Sequence, residues 1–267
     1  MQTTYSAPNA KTYRGDIVSQ NKRIKSAPAL EKIKFGSVVG FVGTTMSGLQ
    51  NPSPNKFTFS GSLGASNVCN LNVTVKTISN GVEVSTTTAI SPVTYATSHA
   101  ATMTAIKDAI ELAATSVTAT VDTNSITVVD DNGAVVILDS VAITGGSAVT
   151  VTYDFDGTIL GVAQRQPTEL NDDGTAYIAP SEMVGAMTQG IMTIYSHDAM
   201  NLGSSLYAQF IEATGYTRGE IRTSTASSKA KAFSTSMGWD GAAADKLLAD
   251  LLERQKVAVK PAPKTKK

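Results

Sequence analysis

Two aspartates one residue apart close the β-patterned run VTYDFDGTIL, residues 151–160, as Asp154-Phe155-Asp156-Gly157-Thr158. Carboxylates at the end of a strand raise phosphoryl transfer as the chemistry to weigh. A nucleophilic Asp for that reaction must present its carboxylate to the phosphorus. A Ser or Thr and a Lys must also hold the phosphoryl oxygens, and a later acidic pair must bind Mg²⁺. The one later pair, Asp172-Asp173, lies in the loop RQPTELNDDG, and no alternation of strand and helix patterns surrounds the string.

DFDGT resembles the first motif of the haloacid-dehalogenase phosphotransferases. That resemblance implies that Asp154 attacks phosphorus, Asp156 handles the leaving-group proton, and Mg²⁺ sits between them. The surroundings oppose it. An Asp/Gly turn needs only side chains that bond nearby backbone and a glycine free to take φ > 0. DFDGT is therefore expected to mark a junction between domains, and the chain is not expected to be an enzyme.

Other reactive residues fall into ordinary roles. Cys69, the single cysteine, excludes an intrachain disulfide and a cysteine-based zinc site, and reads as a buried small hydrophobe. His99 and His197 are too few for a histidine-rich metal centre. His99 falls in the first turn of a helical segment and is expected to be exposed, while His197-Asp198 sits in the polar turn SHDAMNLGSS. No Gly-x-Ser-x-Gly elbow is present, and GGS at 145–147 lacks the Lys and spacing of a phosphate loop. Trp239 reads as a staple before the last helix. No metal and no cofactor are expected.

The elements that would position these residues divide the 267-residue chain by texture. Charged residues make up 16%, and Thr, Ser, Ala, Val and Gly dominate, which favours β structure. Residues 1–34 show little periodicity and read as an extended basic arm. Across 1–35, seven Lys/Arg stand against Asp16 and Glu31. Ile33 to Val42 is a strand pattern, and GLQNPSPNK, 48–56, reads as an exposed loop that can accept an insertion. From 57 to 153 the sequence is Thr/Val-rich, with an Asn80-Gly81 turn of type I′. Helical spacing of Met103, Ile106, Ile110 and Ala113/Ala114 spans 97–114, with Thr97 or Ser98 as cap. A second hairpin turn is expected at Asp130-Asp131-Asn132-Gly133. Beyond Gly157, five short strand patterns recur near ten-residue intervals. Asp240 and the Ala243, Leu247, Leu248, Leu251, Leu252 face predict a final helix before the basic tail VAVKPAPKTKK.

The expected fold is mainly β: a small β-barrel or sandwich core, 35–54 with 157–235, split by an inserted α+β domain, 55–156. An arm precedes the core at 1–34, and a C-terminal helix, 236–256, leads to a disordered tail, 257–267. No apolar run approaches the ~18 residues of a membrane helix. MQTTYSAPNAKTYRGD lacks the apolar stretch of a secretory signal, so synthesis in a cytoplasm is expected.

The flanking segments resemble bacteriophage capsid cement, or decoration, proteins. The resemblance rests on an ordered set of short patterns. These are Ile33-Lys34-Phe35-Gly36-Ser37-Val38-Val39, then Ile159-Leu160-Gly161-Val162-Ala163, then Tyr177-Ile178 with Val184 and Gly190-Ile191-Met192-Thr193-Ile194. Leu206-Tyr207 and Gly215 to Arg218-Gly219-Glu220-Ile221 close it. It implies a β-barrel-like core, frequently trimeric, on the outer capsid surface, with the major capsid protein and its own copies as partners. It implies no catalytic residue, and neither nucleic acid nor membrane is an expected partner. Capsid contact is expected from the arm, through Lys11, Tyr13, Arg14, Ile17, Val18, Lys22, Arg23 and Lys25. Two other classes compete. One is a surface-displayed receptor- or carbohydrate-binding head, for which Phe57, Phe59, Tyr95, Tyr153 and Phe155 are the aromatics at hand; the other is a tail-tube or baseplate component.

Overall fold

The computed structural model describes residues 23–138, 140–146, 148–164, 177–189, 206–212 and 216–222, together with the backbone of 230–232. The first strands are β1 (Arg23–Pro28), β2 (Ile33–Lys34) and β3 (Val38–Phe41). The middle block holds β4 (Lys56–Phe59), β5 (Val68–Ser79), β6 (Val82–Thr94), α1 (His99–Ala113), β7 (Val117–Asp122), β8 (Ser125–Asp130), β9 (Val135–Ile137), β10 (Ala142–Thr144) and β11 (Val151–Asp154). After it come β12 (Thr158–Ala163), β13 (Tyr177–Ile178), β14 (Met183–Gln189), β15 (Tyr207–Gln209), β16 (Ile221–Arg222) and β17 (Ala230–Ala232). The fold is mainly β, and among the described residues its sheets do not close into a barrel.

Strands from both ends of the sequence interleave in one antiparallel sheet, ordered β1-β14-β12-β3. The side-chain period of two sends alternate residues to opposite faces. Val39 and Ala163 join Phe35, Leu49 and Val184 on one side. Val38 and Val162 join Phe155, Ala208 and Phe210 on the other. Both faces are therefore buried at β3 and β12, and these two strands read as apolar runs rather than clean alternation. β13 pairs with β2, and β15 lies between β16 and β17.

The middle block has its own core. One sheet runs β10-β5-β6, with β9 also on β5; the other runs β11-β4-β8-β7. Phe57 and Phe59, two apart on β4, point to the same side and meet edge to face with centroids 5.4 Å apart. They pack with Leu71, Val73, Ile126 and the helix residues Met103, Ile106 and Ile110. The α1 face is the one its spacing predicts. Ser98 is the cap and accepts from Ala101 N at 3.1 Å. Asn80 and Gly81 take φ of 52° and 75°, the two positive values that a type I′ turn demands.

Four expectations change. Residues 23–34 are not an extended arm: they carry β1 and β2, with Ala27, Ala29 and Ile33 buried, while residues 1–22 lie outside the described residues. The segment 48–56 is not an exposed tip, since residues 48–55 are all buried. Gln50 and Gly40 exchange backbone hydrogen bonds at 2.9 Å, and Pro54 and Asn55 carbonyls accept from Leu138 N and Val128 N. The Asp130 to Gly133 turn does not make a hairpin, because β8 pairs with β4 and β7 whereas β9 pairs with β5. Asp130 Oδ2 accepts from Asn132 N and Ala134 N, and this Asx-type turn carries the chain from one sheet to the other. His99 is half-buried rather than exposed. Its Nδ1 accepts from Leu63 N at 2.9 Å, so Nε2 carries the proton and donates to the Thr123 carbonyl at 3.1 Å. The expected C-terminal helix and tail, 236–267, and His197, Asp172-Asp173 and Trp239 lie outside the described residues.

Candidate functional site

DFDGT forms one side of a neck. β4 leads into the middle block and β11 leads out of it, and the two pair antiparallel from Lys56↔Asp154 to Phe59↔Val151. Just beyond the pair, Asp156 N donates to Asn55 Oδ1 at 2.7 Å, and Asn55 Nδ2 donates to the Asp156 carbonyl at 3.4 Å. The carboxylates are turned to the same task. Asp154 Oδ1 accepts from Phe155 N at 2.8 Å, and Asp156 Oδ2 accepts from Thr127 Oγ1 at 3.2 Å. Phe155 is fully buried, and a Cβ on Gly157 would press on its ring and on the Phe41 carbonyl. Asp154 therefore ends an antiparallel strand, a setting unlike the parallel-strand terminus of the phosphotransferases that DFDGT resembles. Among the described residues, no group of three His, Cys, Asp or Glu side chains is placed to hold a metal ion.

A chain of charges, buried at Glu31 and Arg218 and half-buried at Lys76 and Glu83, joins the middle block to the flanking sheet. Glu31, 1% exposed, receives Arg218 Nη2 on Oε2, where Lys76 Nζ also donates at 3.3 Å. Its Oε1 accepts from Asn51 N at 2.9 Å and Asn51 Nδ2 at 3.3 Å. Lys76 continues to Glu83 Oε1 at 2.9 Å, and Glu83 Oε2 takes the Lys32 N–H at 2.9 Å. Four segments distant in sequence meet here: the turn after β1, the buried loop, the tip of the β5–β6 hairpin, and the stretch before β16. Burying charge is costly unless it is paired, so the network specifies this docking more than it strengthens it.

Burial pushes the Glu83 carboxyl up, but the Lys32 N–H and the Lys76 ammonium outweigh it and hold its pKa below the usual glutamate value. A depressed folded-state pKa stabilises the protein above the unfolded-state value of about 4.3 and ceases to do so as pH falls through the folded one. The stability difference between the native chain and Glu83→Gln, read from urea midpoints, should thus be present near neutral pH and shrink below about pH 5. A difference constant down to pH 3 would remove Glu83 from the network.

Of the residues expected to contact a capsid, Lys11, Tyr13, Arg14, Ile17, Val18 and Lys22 lie outside the described residues. Arg23 and Lys25 are exposed on β1, which pairs with β14 on one side and with no other strand among the described residues. Cys69 is buried as expected, and that burial pushes its thiol up to about 12. Sequence reasoning missed Glu31, Lys76, Glu83 and Arg218. Lys76 and Glu83 had a signal: they are lone charges in Thr/Val-rich strands, and the Asn80-Gly81 register makes them diagonal neighbours. Glu31 and Arg218 are 187 residues apart and had none.

No protein-family profile, curated protein or solved structure matches the chain.

Proposed function

We propose that this chain is a virion structural protein that decorates and stabilises a bacteriophage capsid by bridging neighbouring capsid subunits. Its partners are the major capsid protein and further copies of itself, and its role is not catalytic. The observation that carries the reading is how the segments resembling cement proteins come together. Gly36 N donates to the Ala163 carbonyl and Ala163 N to the Ser37 carbonyl, both at 2.8 Å, joining the first two patterns. Tyr177-Ile178 pairs with Lys34-Ile33, Val184 with Ala27, and Tyr207-Ala208 with Arg222-Ile221. The described parts of these patterns thus lie in three sheets that share two buried cores, one with Ile33, Phe35, Ala163 and Ile178, the other with Val38, Val162 and Ile221, while residues 190–194 lie outside the described residues.

The basic segment 1–22 precedes β1, a sheet edge among the described residues, on which Arg23 and Lys25 are exposed. Such an arm would gain affinity by strand pairing and charge contact with an acidic neighbour. A carbohydrate-binding head has less support. Phe57, Phe59 and Phe155 are in the cores, and Tyr95 and Tyr153 are half-buried, so these five build no exposed stacking platform. Electron microscopy of particles made with and without the protein tests the proposal. Particles with it should carry regular surface projections and survive heating that ruptures particles without it. Identical surfaces and identical rupture temperatures would overturn it.

A further inference from the structure

Arg218 is a buried guanidinium with only part of its donor set engaged. Its side chain is 5% exposed, and Nη2 is paired with Glu31. Nε and Nη1 are buried and have no hydrogen-bond partner. A buried donor left in that state is a cost to the fold, larger for a charged group than for a neutral one. The same side chain lines a pocket of about 180 Å³ between the β5–β6 hairpin and the stretch before β16. Thr74, Lys76 and Ser85 line its hairpin side, and Glu212 stands on the other. Glu212 is 68% exposed, and its Oε1 is 3.8 Å from Arg218 Nε, an ion pair too long for a hydrogen bond.

We propose that this pocket binds a carboxylate group, with Arg218 as its principal donor, Lys76 as a second cation, and Glu212 as a loose occupant that the ligand displaces. Nε and Nη1 lie on different edges of the guanidinium and Nη2 is held by Glu31, so a carboxylate in the place of Glu212 takes the Nε–H with one oxygen rather than the full fork. The charge balance selects against a phosphate dianion. Arg218 and Lys76 are already balanced by Glu31 and Glu83, so no surplus positive charge is there to hold a dianion, and a monoanion is held by the unfilled Arg218 donor rather than by net charge. The apolar Ile137 and Ile211 beside the donors suit the short stem of an acidic side chain or small organic acid. This site does not depend on the capsid reading.

The test is a titration of the ¹⁵N-labelled full chain with sodium acetate against sodium chloride at constant ionic strength. It is followed on the arginine Nε–Hε resonance that Arg218→Lys removes. Acetate should shift that resonance saturably, with a midpoint on the order of millimolar for so small a ligand. The N-acetylglutamate α-amide should bind as well if the natural source is a protein side chain; binding by acetate alone would identify a free small acid. Inorganic phosphate should bind more weakly than acetate. Glu212→Gln, a change at an exposed position, should tighten acetate about two- to five-fold by removing the competitor. No saturable shift, an equal shift with chloride, tighter binding of phosphate, or an affinity untouched by Glu212→Gln would each overturn the proposal.

Discussion

Phe155→Ala is expected to lower the free energy of unfolding by about 3 to 5 kcal/mol, the range for removing a fully buried phenylalanine ring. Asp154→Asn, next to it, is expected to change it by less than about 1 kcal/mol, since asparagine keeps an oxygen that can accept from Phe155 N. The contrast separates the two readings of DFDGT. If the string is the neck of the middle block, its apolar member matters most and its first acid is replaceable. If it performs phosphoryl transfer, the order reverses for activity. Urea unfolding followed by circular dichroism gives the first comparison. Hydrolysis of an aryl phosphate with Mg²⁺ gives the second, and it should stay at background for both proteins. Turnover abolished by Asp154→Asn would sink the structural reading.

Glu31→Met should cost a similar amount, about 3 to 5 kcal/mol, because it strands Arg218 and leaves Lys76 with Glu83 alone. The double substitution Glu31→Met with Arg218→Met should recover much of that loss, since buried pairs exchanged for apolar residues are often close to neutral. Denaturant midpoints of the two single variants and the double form a cycle. Strict additivity would mean that the two side chains do not act as a pair. Recovery would show that the network sets how the hairpin tip docks rather than how strongly.

Local chemistry was legible and remote chemistry was not. The Asn80-Gly81 turn needs two positive φ values, and only a few residue types supply them. The α1 face follows from 3.6-residue spacing, and Ser98 follows from the need to satisfy the first free N–H groups. The strand RIKSAP escaped because a strand with exposed Arg23 and Lys25 and only a small buried Ala27 looks like a charged arm. The segment GLQNPSPNK escaped for a different reason. Its Pro, Asn and Ser content describes a solvated loop unless partners are supplied from elsewhere. Here they are: Ser53 Oγ donates to the Val136 carbonyl, and Asn51 bonds to Glu31 and the Lys32 carbonyl. Those partners lie 19 to 83 residues away, beyond the reach of any local pattern.

The same correction moves the boundary for testing the arm. A deletion of residues 2–30 would remove β1 and bury the Ala186 side of β14 against nothing, so it would report on folding. Deletion of 2–22 leaves every described strand in place. Cosedimentation of the purified full chain with phage particles lacking it tests the central proposal most directly. Binding should saturate at a fixed whole-number ratio to the major capsid protein, and the 2–22 deletion should bind poorly. A full chain that remains in the supernatant at every concentration would contradict the proposal that it decorates a capsid.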